Sequence, residues 1–363
     1  MKKILFITNS LGFGGAEKML TFVANSLNKR GHSCYIINLN TVGEYINEKT
    51  QDIAKEIKIY TFDASEKKQG HIQTIKKIYC KAKEFDADVV IGFTSYPSLY
   101  AKVVGMMLGT PSIMSERGDP TRTKGNTTKA HIAQIIINSS SGGVFQTEGA
   151  RDFYGIGLRK RGVVIPNPIF IDGEVPQIDY EQCEKSVVTV GRLDNFQKRY
   201  DVMLDAFRIF SEKHPDYVLK LYGIGSDDEL IKEWVEERGL CDKVKFLGLA
   251  SKPMENIVND GMFLITSDFE GISNSLLEAM AVGLPCVSTD HTPGGARLLI
   301  TDHENGLLAP VGDSAAIATA MCEFAENPEL ARKCGENAKD VLVRFAPERI
   351  IDMWEEYINR ICK

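Results

Sequence analysis

Residues 267–285 read SDFEGISNSLLEAMAVGLP. They follow the apolar run FLIT at 263–266, which has the length and composition of a buried strand. Residues 276–282 then read as a helix stopped by Gly283 and Pro285, with its N-cap among Ser273, Asn274 and Ser275. A strand, a glycine-bearing loop and a helix N-terminus in succession make a place where backbone N–H groups and the helix dipole accept an anion or a sugar hydroxyl. Glu270 falls in that loop, and Glu278 lies about a turn into the helix. The same letters also fit a plainer reading, in which Ser275-x-x-Glu278 is a capping box and Glu270 a solvent-facing loop acid.

Working outward, the alternation of strand and helix recurs on both sides. Residues 2–40 (KKILFITNSLGFGGAEKMLTFVANSLNKRGHSCYIINLN) form one strand–helix–strand unit, with strands at 4–8 and 34–39 and a helix over 16–28. Gly12, Gly14 and Gly15 give G-x-G-G, not G-x-G-x-x-G, and no acid ends the second strand, which argues against a dinucleotide cofactor. What remains is a loop whose backbone approaches a phosphate closely. Strands at 88–94 and 111–115 flank a helix at 98–108. The loop SERGDPTRTKGN (115–126) then places Glu116, Arg117, Asp119 and Arg122 at the carboxyl end of a parallel strand, where such sheets bind ligands. A solvated loop is the alternative. Residues 166–176 (PNPIFIDGEVP) read as a linker. After it the rhythm restarts with a strand at 186–190, the loop GRLDNFQKRYD (191–201), and further strands at 217–222, 244–247, 286–289 and 306–309. Helices are expected at 314–326 and 328–343, and PERIIDMWEEYINRICK (347–363) reads as a separate amphipathic helix.

A chain of 363 residues exceeds one ordinary core and predicts two domains. No apolar run approaches the roughly 18 residues of a membrane span. MKKILFITNS begins like a signal peptide, but its apolar run is too short, so it reads as a first strand. Eight scattered cysteines without C-x-x-C suit a reducing cytosol and argue against a disulfide framework and a zinc site. Residues 1–170 carry 23 Lys and Arg against 14 Asp and Glu, a net +9, and residues 171–363 carry 20 against 35, a net −15. A basic half beside an acidic one points to an anionic partner for the first half. The helix HIQTIKKIYCKAKEFD (71–86), bearing Lys76, Lys77, Lys81 and Lys83, reads as a surface helix on a sheet, with membrane contact the second reading.

Two doubly wound α/β halves, a Gly-Gly loop after the first strand and a Glu-x7-Glu motif together resemble the retaining GT-B glycosyltransferases of family 4, most closely over 187–313. The resemblance implies two Rossmann-like domains facing each other across a cleft. These are an acceptor-side domain at 1–168, a nucleotide-sugar domain at 169–345, and a terminal helix at 346–363 crossing back onto the first. It implies that the backbone at Gly14 and Gly15 approaches the donor diphosphate, that Arg192 and Lys198 bind it, and that Gly223 lies near the base. Glu270 would stand beside the transferred sugar. Gly271, Ile272, Ser273, Asn274 and Leu276 would line the sugar and phosphates, and Glu278 would accept the ribose hydroxyls. Arg117 stands where many members have a histidine; it can bind an oxygen but cannot serve as a base. An acid common after PGGAR is Leu298 here, and His131, His214, His291 and His303 read as isolated. The implied donor is a UDP-sugar, with no cofactor, metal or nucleic acid. The implied acceptor is a glycan or a polyprenyl-diphosphate-linked precursor met from the cytoplasm at the membrane's inner face. A UDP-N-acetylhexosamine 2-epimerase and a non-catalytic sugar-nucleotide-binding protein are the alternatives on the same fold.

Overall fold

The structure is a computed structural model that describes residues 1–12, 15–40, 52–63, 70–123, 127–171 and 173–363. The chain divides into two compact units, Met1–Asn167 with Glu348–Lys363, and Pro168–Pro347.

In the first unit seven strands make one sheet: β1 (Lys3–Thr8), β2 (Ser33–Asn38), β3 (Lys58–Thr61), β4 (Val89–Phe93), β5 (Ser112–Ser115), β6 (Gly142–Phe145) and β7 (Val163–Val164). Their order is β3-β2-β1-β4-β5-β6-β7 and every pair is parallel. Helices on both faces bury β1 completely from Ile4 to Ile7, which is why its sequence is continuously apolar instead of alternating. The helix Gly15–Lys29 contributes Met19, Leu20, Val23, Ala24 and Leu27 to one face. The lysine-rich helix Gly70–Phe85 buries Ile78 and Ala82 on the other, while Lys77 and Lys81 stand over the Tyr60 ring at 5.8 and 5.3 Å. It is a surface helix packed on the sheet.

The last helix, Pro347–Ile361, belongs to this unit's core from Glu348 onward. Ile350, Ile351, Trp354, Tyr357 and Ile358 are buried along one stripe. Trp354 stacks on Phe93 with centroids 5.8 Å apart, and Tyr357 donates to the Arg161 carbonyl at 2.6 Å and accepts from Gly143 N at 2.8 Å. Arg30 meets Glu348, Asp352 and Glu355 on the outer side.

The second unit holds β8 (Ser186–Val190), β9 (Val218–Tyr222), β10 (Val244–Gly248), β11 (Met262–Ile265), β12 (Cys286–Thr289) and β13 (Leu307–Ala309), all parallel, in the order β10-β9-β8-β11-β12-β13. Gly223 and Gly295 are among the glycines that close backbone approach requires. A Cβ at Gly223, whose φ is +147°, would fall 1.8 Å from the Gly191 carbonyl, and one at Gly295 would fall 1.6 Å from the Gly271 carbonyl.

Two expectations change. The helix expected over 328–343 is two, Pro328–Ala338 and Val341–Arg344. A helix at Thr128–Asn138, capped by Thr127, had not been read from the sequence. Its Ile132 and Ile135 face outward and only Ile137 is buried, so it carries no clear apolar stripe.

Candidate functional site

In the second sheet the strand order reverses between β8 and β11, the kind of switch point beyond whose carboxyl ends open α/β sheets bind ligands. Two loops meet there. The loop after β8 runs into the short helix Asn195–Lys198, capped by Asp194, whose Oδ1 accepts from Phe196 N at 3.1 Å. Arg199 ends it in the left-handed region with φ 54° and spans Asp268 and Asp201 with its guanidinium. Beyond β11, Thr266 Oγ1 donates to the carbonyls of Lys198 (2.9 Å) and Arg199 (3.1 Å), and Asp268 N donates to the Gln197 carbonyl at 3.0 Å.

Locked together in this way, the loops bring Lys198 Nζ to 2.8 Å from Glu270 Oε1, each side chain 15% exposed. Ser267 Oγ donates to the other Glu270 oxygen at 3.2 Å. Burial opposes ionisation of Glu270. The charge of Lys198, the nearby His291 imidazole and the hydrogen bonds from Lys198 and Ser267 outweigh it, and they hold the carboxyl below its ordinary range. Glu270 N donates to the Thr292 carbonyl at 2.8 Å, which ties the site to the loop after β12.

That loop supplies what the sequence reading left out. His291 is not isolated: it is buried, lies close enough to Glu270 for their charges to interact, and its Nε2 has no hydrogen-bond partner. Burial pushes its pKa down, against the pull of the Glu270 carboxylate. The only signal in the sequence was its place after a strand, two residues before PGGAR. His214 and His303 are not isolated either, since they lie beside Glu326 and beside Asp302 and Glu323.

The helix after the loop spans Asn274–Val282 with Ser273 as its N-cap, the Ser273 Oγ accepting from Leu276 N at 3.4 Å. Ser275 therefore lies inside the helix, so the spacing Ser275-x-x-Glu278 does not start it. Half-buried Glu278 sits just past the first turn. The side chains of Ile272 and Leu276 belong to the core, which leaves only their backbone for a ligand. Gly223 N donates to the Gly248 carbonyl at 2.7 Å, joining the loops after β9 and β10. Arg192 is exposed and turned toward Asp194 at 3.2 Å.

The first sheet reverses between β1 and β4. Gly15 opens the helix after β1; Gly14 and Lys124 lie outside the described residues. Asn9 Nδ2 donates to Thr94 Oγ1 at 3.2 Å, and Thr94 is held at φ 71°, ψ 178°, a conformation that favours glycine. Beside it a cavity of about 330 Å³ is lined by Asn9, Asn40, Phe62, His71, Tyr96 and Tyr100. Glu116 is buried and fully engaged, accepting from Arg117 N (3.0 Å), Gly118 N (3.2 Å) and the Tyr154 hydroxyl (2.7 Å). Arg117 packs over the Trp354 ring at 5.9 Å and donates to the Ile165 carbonyl, and its buried Nη1 has no hydrogen-bond partner.

Residues 176–341, most of the second unit, match the family model of glycosyl transferases group 1. Over 361 residues the chain is 23% identical to an uncharacterized glycosyltransferase of Haemophilus influenzae, covering 98% of this chain and 99% of that one. It is 24% identical over 361 residues to the N-acetylgalactosamine-N,N'-diacetylbacillosaminyl-diphospho-undecaprenol 4-alpha-N-acetylgalactosaminyltransferase of Campylobacter jejuni, covering 93% and 94% of the two chains. Among solved structures, Anabaena HepE in complex with UDP and glucose superposes with a TM-score of 0.83 at 19% identity, over 99% of this chain and 100% of that one. The fold is GT-B, built from two Rossmann-like α/β domains.

Proposed function

We propose that this chain is a family 4, retaining glycosyltransferase that moves a sugar from a UDP-sugar to a lipid-linked or cell-surface glycan precursor, without a metal. The observation that carries the reading is the Lys198–Glu270 pair, 2.8 Å apart at the switch point of the second sheet. Departure of UDP leaves positive charge on the anomeric carbon and negative charge on the diphosphate. A fixed carboxylate and a fixed ammonium side by side answer both. Lys198 and Arg192 take the diphosphate, which relieves Lys198 of part of its pairing and turns the Glu270 charge toward the sugar. Glu278 holds the ribose hydroxyls. The bond from the anomeric carbon to the phosphate oxygen breaks, the acceptor oxygen bonds on the same face, and its proton passes to the departing phosphate oxygen. No protein base or metal is needed.

Support for UDP comes from the HepE complex, and support for a lipid-diphosphate acceptor from the name of the Campylobacter relative. The first unit's positive charge and its aromatic cavity suit that acceptor. No helix among the described residues is long and apolar enough to cross a membrane, so contact with a membrane-borne acceptor would be peripheral.

The test is a panel of UDP- and GDP-sugars offered in excess EDTA with free and diphosphate-lipid-linked acceptors, the product read by NMR. An α-linked product from an α-linked UDP-sugar is expected, with the lipid-linked acceptor preferred. An inverted product, or a strict need for Mn²⁺ or Mg²⁺, would refute the mechanism. Binding to anionic vesicles should weaken as the Debye length falls from about 10 Å at 0.1 M salt to about 3 Å at 1 M.

A further inference from the structure

At the amino end of β9, opposite the candidate site, the second unit brings together an imidazole, a thiol and a carboxylate. His214 follows the helix Tyr200–Lys213, while Cys322 and Glu326 stand one turn apart on the helix Ser314–Glu326 packed beside it. One ligand atom from each lies within 4.8 Å of the other two. Cys322 is buried at the back, and Glu326, 59% exposed, opens the cluster to solvent.

The geometry distinguishes this cluster from an ordinary surface ion pair. His214 Nε2 lies 3.4 Å from Glu326 Oε1, yet it is not aligned for a hydrogen bond, and this buried nitrogen has no other hydrogen-bond partner. The ring is fixed between Phe210, stacked at 4.9 Å, and Tyr217, edge-on at 6.0 Å. A buried, unpartnered imidazole nitrogen costs free energy unless something fills it. Here the three donor atoms lie close enough together for one ion to reach them all. An N–O separation of 3.4 Å matches the edge of a coordination tetrahedron with bonds of about 2.0–2.2 Å, and the Cys322 sulfur lies within 4.8 Å of the other two ligand atoms. Imidazole with thiolate selects a zinc-class ion over magnesium or calcium.

We propose that His214, Cys322 and Glu326 form a zinc-binding site, with solvent as fourth ligand, that clamps these two helices of the second unit together. The scattered cysteines argued against a zinc site because these ligands come from segments far apart in sequence with no short motif. The site lies at the end of the sheet away from Lys198 and Glu270 and stands independently of the proposed transfer reaction.

Co²⁺ titrated into the metal-stripped full chain serves as the spectroscopic probe, with Zn²⁺ as competitor. One equivalent of Co²⁺ should bind with a thiolate-to-cobalt charge-transfer band, Zn²⁺ should displace it, and Zn²⁺ should raise the thermal midpoint. Cys322→Ser should abolish the band and His214→Gln should weaken binding at least tenfold. Glu326→Gln, exposed and tolerated by the fold, should weaken it severalfold, and His303→Gln should leave it unchanged. Absence of one-to-one binding, or binding that survives both Cys322→Ser and His214→Gln, would overturn the proposal.

Discussion

Glu116 follows β5 in the first unit and Glu270 follows β11 in the second, each just past a central parallel strand, yet their surroundings are opposite. Glu116 is closed in by two backbone N–H groups and the Tyr154 hydroxyl, and burial raises its pKa. Glu270 faces a lysine and a serine at a switch point, its side chain 15% exposed, and its pKa is lowered. One carboxyl is stabilised toward its neutral form by burial, the other toward its charge by the Lys198 ammonium. A carboxylate at a strand end is therefore not by itself a site. What separates the two is whether the partner can be exchanged for a ligand. A hydroxyl and backbone donors built into the fold cannot be, but the side-chain ammonium of Lys198, at the end of a short helix, can.

The largest effect that tests this contrast is structural. Trp354→Ala empties the space between Phe93 and Arg117 in the first unit and should cost about 3–5 kcal/mol of that unit's stability. Denaturant unfolding followed by far-UV circular dichroism should show an early phase from the first unit. The fluorescence of Trp234, the chain's other tryptophan, should report an unchanged second unit. An early loss of the Trp234 signal would mean that the two regions are not energetically separate.

Next comes the split between the two glutamates of the second unit. Glu270→Gln should lower kcat by about 10²–10³-fold, because the charge it answers develops only in the transition state. UDP should bind the variant at least as well, since Lys198 loses its competing partner. Glu278→Gln should instead raise KM for the donor, by roughly tenfold or more for the loss of about 1.5–3 kcal/mol in hydrogen bonds to a charged group, with kcat little changed. The reverse pattern in steady-state kinetics would exchange the roles given to the two residues.

The fold was legible because parallel strands buried on both faces leave continuous apolar runs, as at Ile4–Ile7 and 263–265, and glycines and prolines punctuate the helices. The helix Thr128–Asn138 escaped because its isoleucines face outward, and the turn that splits the helix at 328–343 left no glycine or proline to mark it. Within the site, Glu270 and Glu278 stand out from the strand–loop–helix pattern, and Arg192 and Lys198 only through the family resemblance. The pairing of Lys198 with Glu270 could not be read: the two are 72 residues apart and meet only because β8 and β11 are neighbours. His291 was hidden for the same reason, and Glu116 looked like a loop acid because Tyr154, its covering partner, lies 38 residues on.

The smallest expected effect is the most direct measure of the contrast, because it concerns sign. A carboxyl whose folded pKa lies below its unfolded value adds stability that is present above about pH 4.5 and is lost as pH falls through the folded value. Glu270 is of this kind. A carboxyl whose folded pKa is raised does the opposite: the folded state holds its proton more tightly, so its contribution is greatest at low pH and declines as pH rises from about 4.5 toward the folded value. Glu116 is of that kind. Glutamine mimics the neutral acid in both places. Relative to the parent, Glu116→Gln should therefore gain stability as pH is raised from acid toward neutral, and Glu270→Gln should lose it. The chain's two tryptophans separate the units, since Trp234→Phe leaves Trp354 to report the first and Trp354→Phe leaves Trp234 to report the second. Denaturation midpoints across the pH range in these backgrounds give the two slopes. If both variants moved in the same direction, Glu116 and Glu270 would share one electrostatic character and the contrast between the two strand ends would fail.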